Sequence, residues 1–184
     1  MRRTFSVLLV LTFVLSSAVA SGAPKYKRLG DDPSGDGPPA LDVVYLEVAR
    51  VGKTIDIRLG IDGMLPRAGG YPEAPGIEWV FTTGKRTFIA EAVAGTGPQG
   101  RFYLFELMKD GSLMQHQGAT GTYDAADGFA SVQVPLQTIG ARKGTVLRGF
   151  MLDETGGDVD AHVHVGPQTH YADSFATTKK FVIP

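Results

Sequence analysis

The chain of 184 residues has no cysteine, one tryptophan and only four histidines. The lack of cysteine excludes disulfides, thiolate metal sites, a cysteine nucleophile and attachment of lipid to a cysteine. No Gly-x-Ser-x-Gly motif of a serine hydrolase is present either. Basic and acidic residues nearly balance, at 18 and 19, and the lysines and arginines are scattered. Nucleic-acid binders carry a clustered basic face, so we do not expect that activity. Because the nucleophile motifs are missing, we do not expect an enzymatic activity either.

Long apolar runs are missing after the first 20 residues. Arg2 and Arg3 precede an apolar run from Ser6 to Leu15, and Ala18-Val19-Ala20 supplies the small residues that a signal peptidase reads. The run is shorter than the roughly 20 apolar residues of a membrane helix. Residues 1–20 are therefore predicted to be a cleaved secretory signal, which sends the protein to the extracellular space or the periplasm without a membrane span in the mature chain.

Composition divides the mature chain into two parts. Residues 21–40 are rich in glycine, proline and aspartate, a composition that buries too little apolar surface to offset the entropy of ordering. We expect a flexible lead-in there. Residues 41–184 are long enough to build one hydrophobic core, and we assign them to a single domain.

Alternation of apolar and polar residues dominates that domain. The segments Val44–Val48 and Ile55–Ile61 flank a turn at Gly52-Lys53, and a second hairpin is centred on Thr83-Gly84-Lys85. No window outside the signal has a helical period. The sequence therefore predicts an all-β fold, a single antiparallel β-sandwich of jelly-roll or immunoglobulin-like outline.

Two later segments carry more specific expectations. Residues 101–108 are apolar on both faces of the predicted strand, which is typical of a central strand covered on each side. Residues 112–123 form a weaker, polar pattern that predicts one further strand. Pro135 lacks a backbone donor, so it indicates a strand end or an edge position.

Hard oxygen ligands cluster near the start of the domain. Asp32, Asp36 and Asp42 lie on a glycine-rich segment that can curl around a cation, and calcium takes six to eight such oxygens. The spacing is not that of an EF-hand. The alternative is a solvated, turn-rich linker without metal.

The same residues carry a resemblance to a known family. The order Asp-Pro-x-Gly-Asp at 32–36, the strand opening at Leu41–Val44, the segment Val134–Gly140 and the late Asp173 resemble the DOMON and family-9 carbohydrate-binding-module-like β-sandwiches, particularly those of secreted glucodextranase-type enzymes. The resemblance covers about residues 31–183. It implies a non-catalytic module that binds sugar or haem, with a structural calcium near Asp32, Asp36, Asp42 and Asp173. Gly37-Pro38-Pro39 replaces the aromatic-rich continuation of that family.

A sugar site needs exposed rings on which the C–H faces of a pyranose pack. Trp79 shares a strand face with Ile77 and Phe81, which favours burial in the core. Tyr71, in a segment rich in glycine and proline, and Tyr103 are the candidate ligand-binding rings.

A histidine cluster offers a transition-metal site instead. Alternate residues of a strand share one face, so His162 and His164 would line up, with His170 a few residues further on. Such a set suits zinc or copper. The pattern equally fits the solvent face of an amphipathic edge strand. Haem is not expected, because Met114 and His116 are two apart in a strand and cannot be trans ligands of one iron.

Three functions follow from these patterns. The first is a secreted, non-catalytic ligand-binding sandwich that takes carbohydrate, with a possible structural calcium. The alternative is an envelope protein that contacts another extracellular protein and has no small-molecule site. The third is a metal-binding protein built on His162, His164 and His170.

Overall fold

The computed structural model describes residues 23–32, 42–62, 76–93, 101–124, 126–155 and 171–184. These residues form β-strands joined by turns and contain no helix. The strands are β1 (Lys27–Asp31), β2 (Asp42–Val51), β3 (Thr54–Asp62), β4 (Gly76–Thr83), β5 (Arg86–Val93), β6 (Arg101–Leu107), β7 (Leu113–His116), β8 (Thr120–Asp124), β9 (Phe129–Pro135), β10 (Val146–Thr155), β11 (Tyr171–Thr177) and β12 (Phe181–Val182).

The strands form two antiparallel sheets. The smaller sheet has the order β1-β2-β3-β9-β8, and the larger sheet has the order β11-β10-β4-β5-β6-β7 with β12 paired to β10. The sheets meet face to face, with β5 near β9, β11 near β2 and β6 near β8. The β-sandwich predicted from the alternation is confirmed.

Tight turns set the register of the predicted hairpins. Gly52 and Gly84 have φ of 58° and 62°, a backbone region that suits glycine and that two-residue hairpin loops require. The turns fix the pairs Val51–Thr54 and Thr83–Arg86. Each strand is thereby held with its apolar residues facing the opposite sheet.

The core lies between the sheets and is built from the inward residues of both. Trp79 is only 1% exposed, so the prediction that it belongs to the core is confirmed. Phe81 stacks on Phe88 and Phe150, with centroid separations of 5.8 and 6.0 Å. The other large side chains that are fully buried include Leu29, Leu46, Ile55, Ile57, Leu59, Ile77, Leu104 and Ile139.

The expected flexible lead-in is wrong for one segment. Residues 27–31 form β1, an outer strand of the smaller sheet that pairs with β2. Leu29 is fully buried, and the Asp32 amide donates to the Val44 carbonyl at 3.1 Å. One apolar anchor and a ladder of backbone hydrogen bonds outweigh the polar composition around them.

The single strand predicted over 112–123 is also wrong. The segment contains β7 in the larger sheet and β8 in the smaller one. Between them the chain changes sheets, and Gly118 takes a φ of 93° there. A period-two pattern cannot show this change, because a short corner leaves the alternation on either side intact.

Residues 101–107 form a strand that is not covered on both faces as predicted. Leu104 and Glu106 are buried on the inner side, whereas Tyr103, Phe105 and Leu107 are only half-buried on the outer side. β6 lies one strand from the end of the larger sheet, next to β7. Pro135 is the last residue of β9, as its missing donor predicts. No helix in the described parts of the chain is long and apolar enough to cross a membrane.

Candidate functional site

A row of polar side chains crosses the outer face of the larger sheet. The register sets Glu78 of β4 opposite Glu91 of β5, and Glu91 opposite Tyr103 of β6. Directly opposed residues of antiparallel strands have Cβ atoms about 4.5–5.5 Å apart. We call Glu78, Glu91 and Tyr103 the outer row. The backbone of β10 extends it, since Asp153 stands opposite Glu78 in the register.

The alternation of β4, β5 and β6 explains why the outer row faces away from the core. Trp79, Ala90 and Leu104 occupy the intervening positions and are buried between the sheets. Their burial fixes the register of the three strands, because a slip by one residue would exchange the two faces. The core therefore positions the polar groups of the outer row.

Two aromatic rings lie at the β6 end of the outer row. Tyr103 and Phe105 stack with centroids 6.0 Å apart and ring planes inclined by 28°. Both rings are half-buried. Adjacent rings of similar orientation form a surface on which an apolar ring face can pack.

Glu91 has an unusual environment for a carboxyl group. Its side chain is 8% exposed, and within the described parts of the chain no hydrogen bond or ion pair reaches it. Burial raises the pKa of Glu91 to about 7, because removal from water disfavours the charged form. Near neutral pH this carboxyl can therefore donate a hydrogen bond as well as accept one.

A second cluster of ionisable groups faces inward near the end of β6. Arg86 donates two hydrogen bonds to Glu106, from Nε to Oε1 at 2.7 Å and from Nη2 to Oε2 at 2.6 Å. His116 Nε2 lies 3.1 Å from Glu106 Oε2. Hydrogen bonds from Arg86, and then from His116, lower the pKa of Glu106 to about 2. This carboxylate already has its partners, which fits a structural role.

A cleft of about 400 Å³ opens beside the Glu106 cluster. It lies between the β4–β5 turn and the β6–β7 turn, and its lining residues are Lys85, Arg86, Glu106, Leu107, Met108, Lys109, Asp110 and Ser112. The Asp110 carboxylate accepts hydrogen bonds from the amide and hydroxyl of Ser112 at 3.0 and 2.6 Å. Arg86 and Asp110, the groups that would recognise a polar ligand, thus already have partners in the chain, Glu106 and Ser112 respectively.

The predicted site residues fall into two groups. Tyr103 lies in the outer row, half-buried, beside Phe105 and Glu91. The other predicted ring and most predicted metal ligands lie outside the described residues: Tyr71, Asp36, His162, His164 and His170.

Asp32 and Asp42 lie at one end of the smaller sheet. Asp32 follows β1, and Asp42 begins β2, opposite Asp62 of β3. Asp42 is 4% exposed. Within the described residues no three histidine, aspartate or glutamate side chains come together as a metal site. Calcium near Asp32 and Asp42, and zinc or copper at the histidines, remain predictions.

Sequence reasoning did not single out Glu78, Glu91 or the Arg86–Glu106–His116 cluster. Glu91 left one signal: it is a charged residue within the otherwise apolar strand Ile89–Val93. The three-residue cluster left none, because Arg86, Glu106 and His116 become neighbours only through the register of β5, β6 and β7.

Comparisons with known proteins add no relative. No family model, no curated protein and no solved structure matches the chain.

Proposed function

We propose that the protein is a secreted, non-catalytic β-sandwich module that binds carbohydrate on the outer face of its larger sheet. The observation that carries the proposal is the stacked pair Tyr103–Phe105 standing in register beside Glu91. The C–H face of a pyranose packs on aromatic rings, and its hydroxyls need planar polar side chains beside those rings. The outer row supplies both kinds of group.

Glu91 gives the proposed site its hydrogen-bonding capacity. Since the buried carboxyl lacks a partner among the described residues, a sugar hydroxyl would satisfy it without displacing an interaction with any of them. Glu78 lies directly opposite on β4 and widens the polar edge. An aromatic platform flanked by carboxyl groups favours neutral or weakly basic sugars over acidic ones, because a uronate would be repelled.

The sequence resemblance supports the same ligand class. The Asp-Pro-x-Gly-Asp motif at 32–36 resembles that of DOMON and family-9 carbohydrate-binding-like sandwiches, and we propose a jelly-roll or immunoglobulin-like member of that group. The N-terminal 20 residues support secretion.

Calorimetric titration tests the proposal directly. The mature chain 21–184 is titrated with neutral hexasaccharides of differing linkage, namely maltohexaose, cellohexaose and laminarihexaose. We expect one of them to bind and Tyr103→Ala to weaken that binding by about ten-fold, a loss of about 1.4 kcal/mol. Tyr45→Ala is the matched control, since Tyr45 is a half-buried ring on the outer face of the smaller sheet. Binding that survives Tyr103→Ala but is lost in Tyr45→Ala would contradict the proposed site.

A second candidate function rests on the next row of the same face. Met151, Val80, Ile89 and Phe105 follow one another across β10, β4, β5 and β6, and Met151 is 42% exposed. An apolar row of this kind fits a protein partner. Met151→Glu discriminates the two, because it would abolish a protein contact across the row while leaving a sugar on Tyr103 bound.

A further inference from the structure

The N-terminal arm, residues 23–26, places one ring on the outer face of the smaller sheet. Tyr26 donates its hydroxyl to Asp56 Oδ2 at 3.0 Å. Its ring lies over the Arg58 guanidinium, with Cζ 4.2 Å from the ring centroid. On the other side Arg58 Cζ is 4.1 Å from the Phe129 centroid. Arg58 is thus held between two rings, one from the sheet and one from the arm.

The floor beneath Tyr26 belongs to the sheet itself. Asp56 and Arg58 are alternate residues of β3, so they share a face, and Asp56 stands opposite Gln133 of β9. Gln133 Nε2 donates to the same oxygen of Asp56 that Tyr26 uses, at 3.3 Å. The guanidinium offers a flat cation to a stacked ring, and the carboxylate accepts from a hydroxyl at that ring's edge. These groups together recognise a phenol.

Two buried polar atoms beside Tyr26 have no hydrogen-bond partner among the described residues. Asp56 Oδ1 and Arg58 Nε are both buried, and neither has a hydrogen bond within the described parts of the chain. Asp56 is only 5% exposed. A buried donor or acceptor that loses water without gaining a partner costs free energy. The floor therefore keeps hydrogen-bonding capacity that Tyr26 does not use.

The arm is attached weakly compared with the strand that follows it. Residues 23–25 are exposed, and Tyr26 is the only residue of the arm that is partly buried. Leu29, three residues later in β1, is fully buried. Release of Tyr26 therefore needs no loss of core packing, only of one ring contact and one hydrogen bond.

We propose that this face is a second binding site, for a 4-hydroxyphenyl ring, and that Tyr26 occupies it in the free protein. An incoming phenol stacks on Arg58, donates to Asp56 and displaces Tyr26 toward solvent. The ring can belong to a small phenol or to a tyrosine of another polypeptide, since the chemistry is the same. The inference uses the opposite sheet from the proposed carbohydrate site and does not depend on it.

Displacement of Tyr26 sets the affinity that the site shows. A site that is open only part of the time binds with an apparent affinity reduced by the open fraction. Variants that remove the ring or its hydroxyl should therefore bind a phenol more tightly than the wild type, although they contribute fewer groups to the fold.

The first experiment titrates p-cresol, the tyrosine side-chain analogue, into the mature chain 21–184 and its Tyr26→Ala variant. We expect at least about ten-fold tighter binding to Tyr26→Ala than to the wild type. Toluene, which lacks the hydroxyl, should bind Tyr26→Ala about ten-fold more weakly than p-cresol does. Equal affinities of p-cresol for the two proteins, or equal binding of p-cresol and toluene to Tyr26→Ala, would overturn the proposal.

Tyr26→Phe keeps the ring, so it provides a second test if Tyr26→Ala fails to fold. It removes only the bond to Asp56, so p-cresol should bind it with an affinity between those of the wild type and Tyr26→Ala. Asp56→Asn, combined with Tyr26→Phe, should weaken p-cresol again. The role given to Asp56 would be contradicted if p-cresol bound Tyr26→Phe no more tightly than the wild type, and bound the double variant as tightly as Tyr26→Phe.

NMR spectra of the wild type then test whether Tyr26 leaves its place. Saturation with p-cresol should shift the ring protons of Tyr26 towards the values of an exposed tyrosine, because the ring no longer lies over the Arg58 guanidinium, and should leave the β3 amides protected. Tyr26 ring resonances that do not move in saturating p-cresol would refute displacement. The two sources of the ring are separated by an acetylated, amidated Lys-Tyr-Lys peptide, which repeats residues 25–27. Tighter binding of the peptide than of p-cresol assigns a polypeptide ligand, and weaker binding assigns a small phenol.

Discussion

The two outer faces of the sandwich place their aromatic rings in different surroundings. On the smaller sheet a guanidinium lies over each ring. Arg28 Cζ is 3.9 Å from the Tyr45 centroid, and Arg58 Cζ lies over Phe129. On the larger sheet Tyr103 and Phe105 stack on each other, and within the described residues no cation lies over either ring. The carboxyl in register with Tyr103 is Glu91, which is buried and unpaired there.

The contrast separates rings that already contact a guanidinium of the chain from rings that contact none among the described residues. A ring covered by a guanidinium gains cation–π attraction within the folded protein, so a ligand must compete with that contact. Among the described residues, Tyr103 and Phe105 have no such competitor. The same comparison explains why a ligand on the smaller sheet has to displace Tyr26, whereas a ligand on the larger sheet does not.

The largest expected difference between the faces concerns their carboxyl groups. Glu91 has a pKa raised from 4.5 to about 7, so the folded state binds a proton more tightly than the unfolded state does. Its favourable contribution is complete below the unfolded pKa and is lost as the pH rises through about 7. Glu91→Gln should therefore raise the free energy of unfolding at about pH 8, by up to about 3 kcal/mol at about 1.4 kcal/mol per pKa unit.

Urea unfolding at about pH 4 and pH 8 measures that gain, which should vanish at the lower pH. Glu47→Gln is the matched control on the other face, because Glu47 pairs with Arg28 at 3.2 Å. It should give no stabilisation at either pH. A gain from Glu91→Gln that is equal at both pH values would show that burial of charge is not the cause.

The next effect concerns how closely Tyr45 packs on the smaller sheet. A Cβ added at Gly60 would overlap the Tyr45 ring, which lies across this position in register. We expect Gly60→Ala to lower the free energy of unfolding by about 2 kcal/mol, the usual range for overpacking. In a Tyr45→Ala background the same change should cost less than about 0.5 kcal/mol. Additive losses in this double-mutant cycle would mean that Gly60 is required for another reason.

A smaller effect is expected where Arg58 lies between two rings. Lysine keeps the charge of Arg58 but cannot stack as a plane, so Arg58→Lys should cost about 1 kcal/mol. Arg101 is an exposed cation on the outer face of the larger sheet. Arg101→Lys should change the stability by no more than about 0.5 kcal/mol. Equal losses for the two substitutions would remove the distinction between the faces.

The smallest effect is expected at Arg28, which is exposed and bonds to Asp31 at 2.9 Å and to Glu47 at 3.2 Å. Exposed ion pairs contribute little, so Arg28→Gln should cost about 0.5 kcal/mol. The loss should shrink in about 1 M salt, which screens the pairs. A loss that is unchanged by salt would assign it to the ring contact with Tyr45 instead.

The fold class could be predicted from sequence because it rests on local signals. Alternation over Val44–Val48 and Ile55–Ile61 and the turn at Gly52 are sufficient to place a hairpin with its apolar face inward. Burial of Trp79 followed from its position beside Ile77 and Phe81. The prediction of flexibility was wrong for residues 27–31, because the buried Leu29 and the pairing of β1 with β2 outweighed the composition around them.

The candidate sites depend on pairings between distant segments. Tyr103 could be named as a ring, but its neighbour Glu91 is known only from the register of β5 and β6. The contact of Tyr26 with Asp56 joins residues 30 positions apart in the chain. Neither pairing follows from periodicity, since alternation says which face a residue takes but not which residue stands beside it.

The position of Trp79 makes its fluorescence emission a measure of folding. The strand that carries it, β4, pairs with β5 next along the chain and also with β10, where Leu152 stands opposite Trp79. The indole lies in the core between the sheets and is 1% exposed, so it becomes fully shielded only when the two sheets have packed together. Since non-local packing of this kind is the slow event of β-protein folding, the blue shift of its emission should follow packing of the sheets rather than formation of the hairpins.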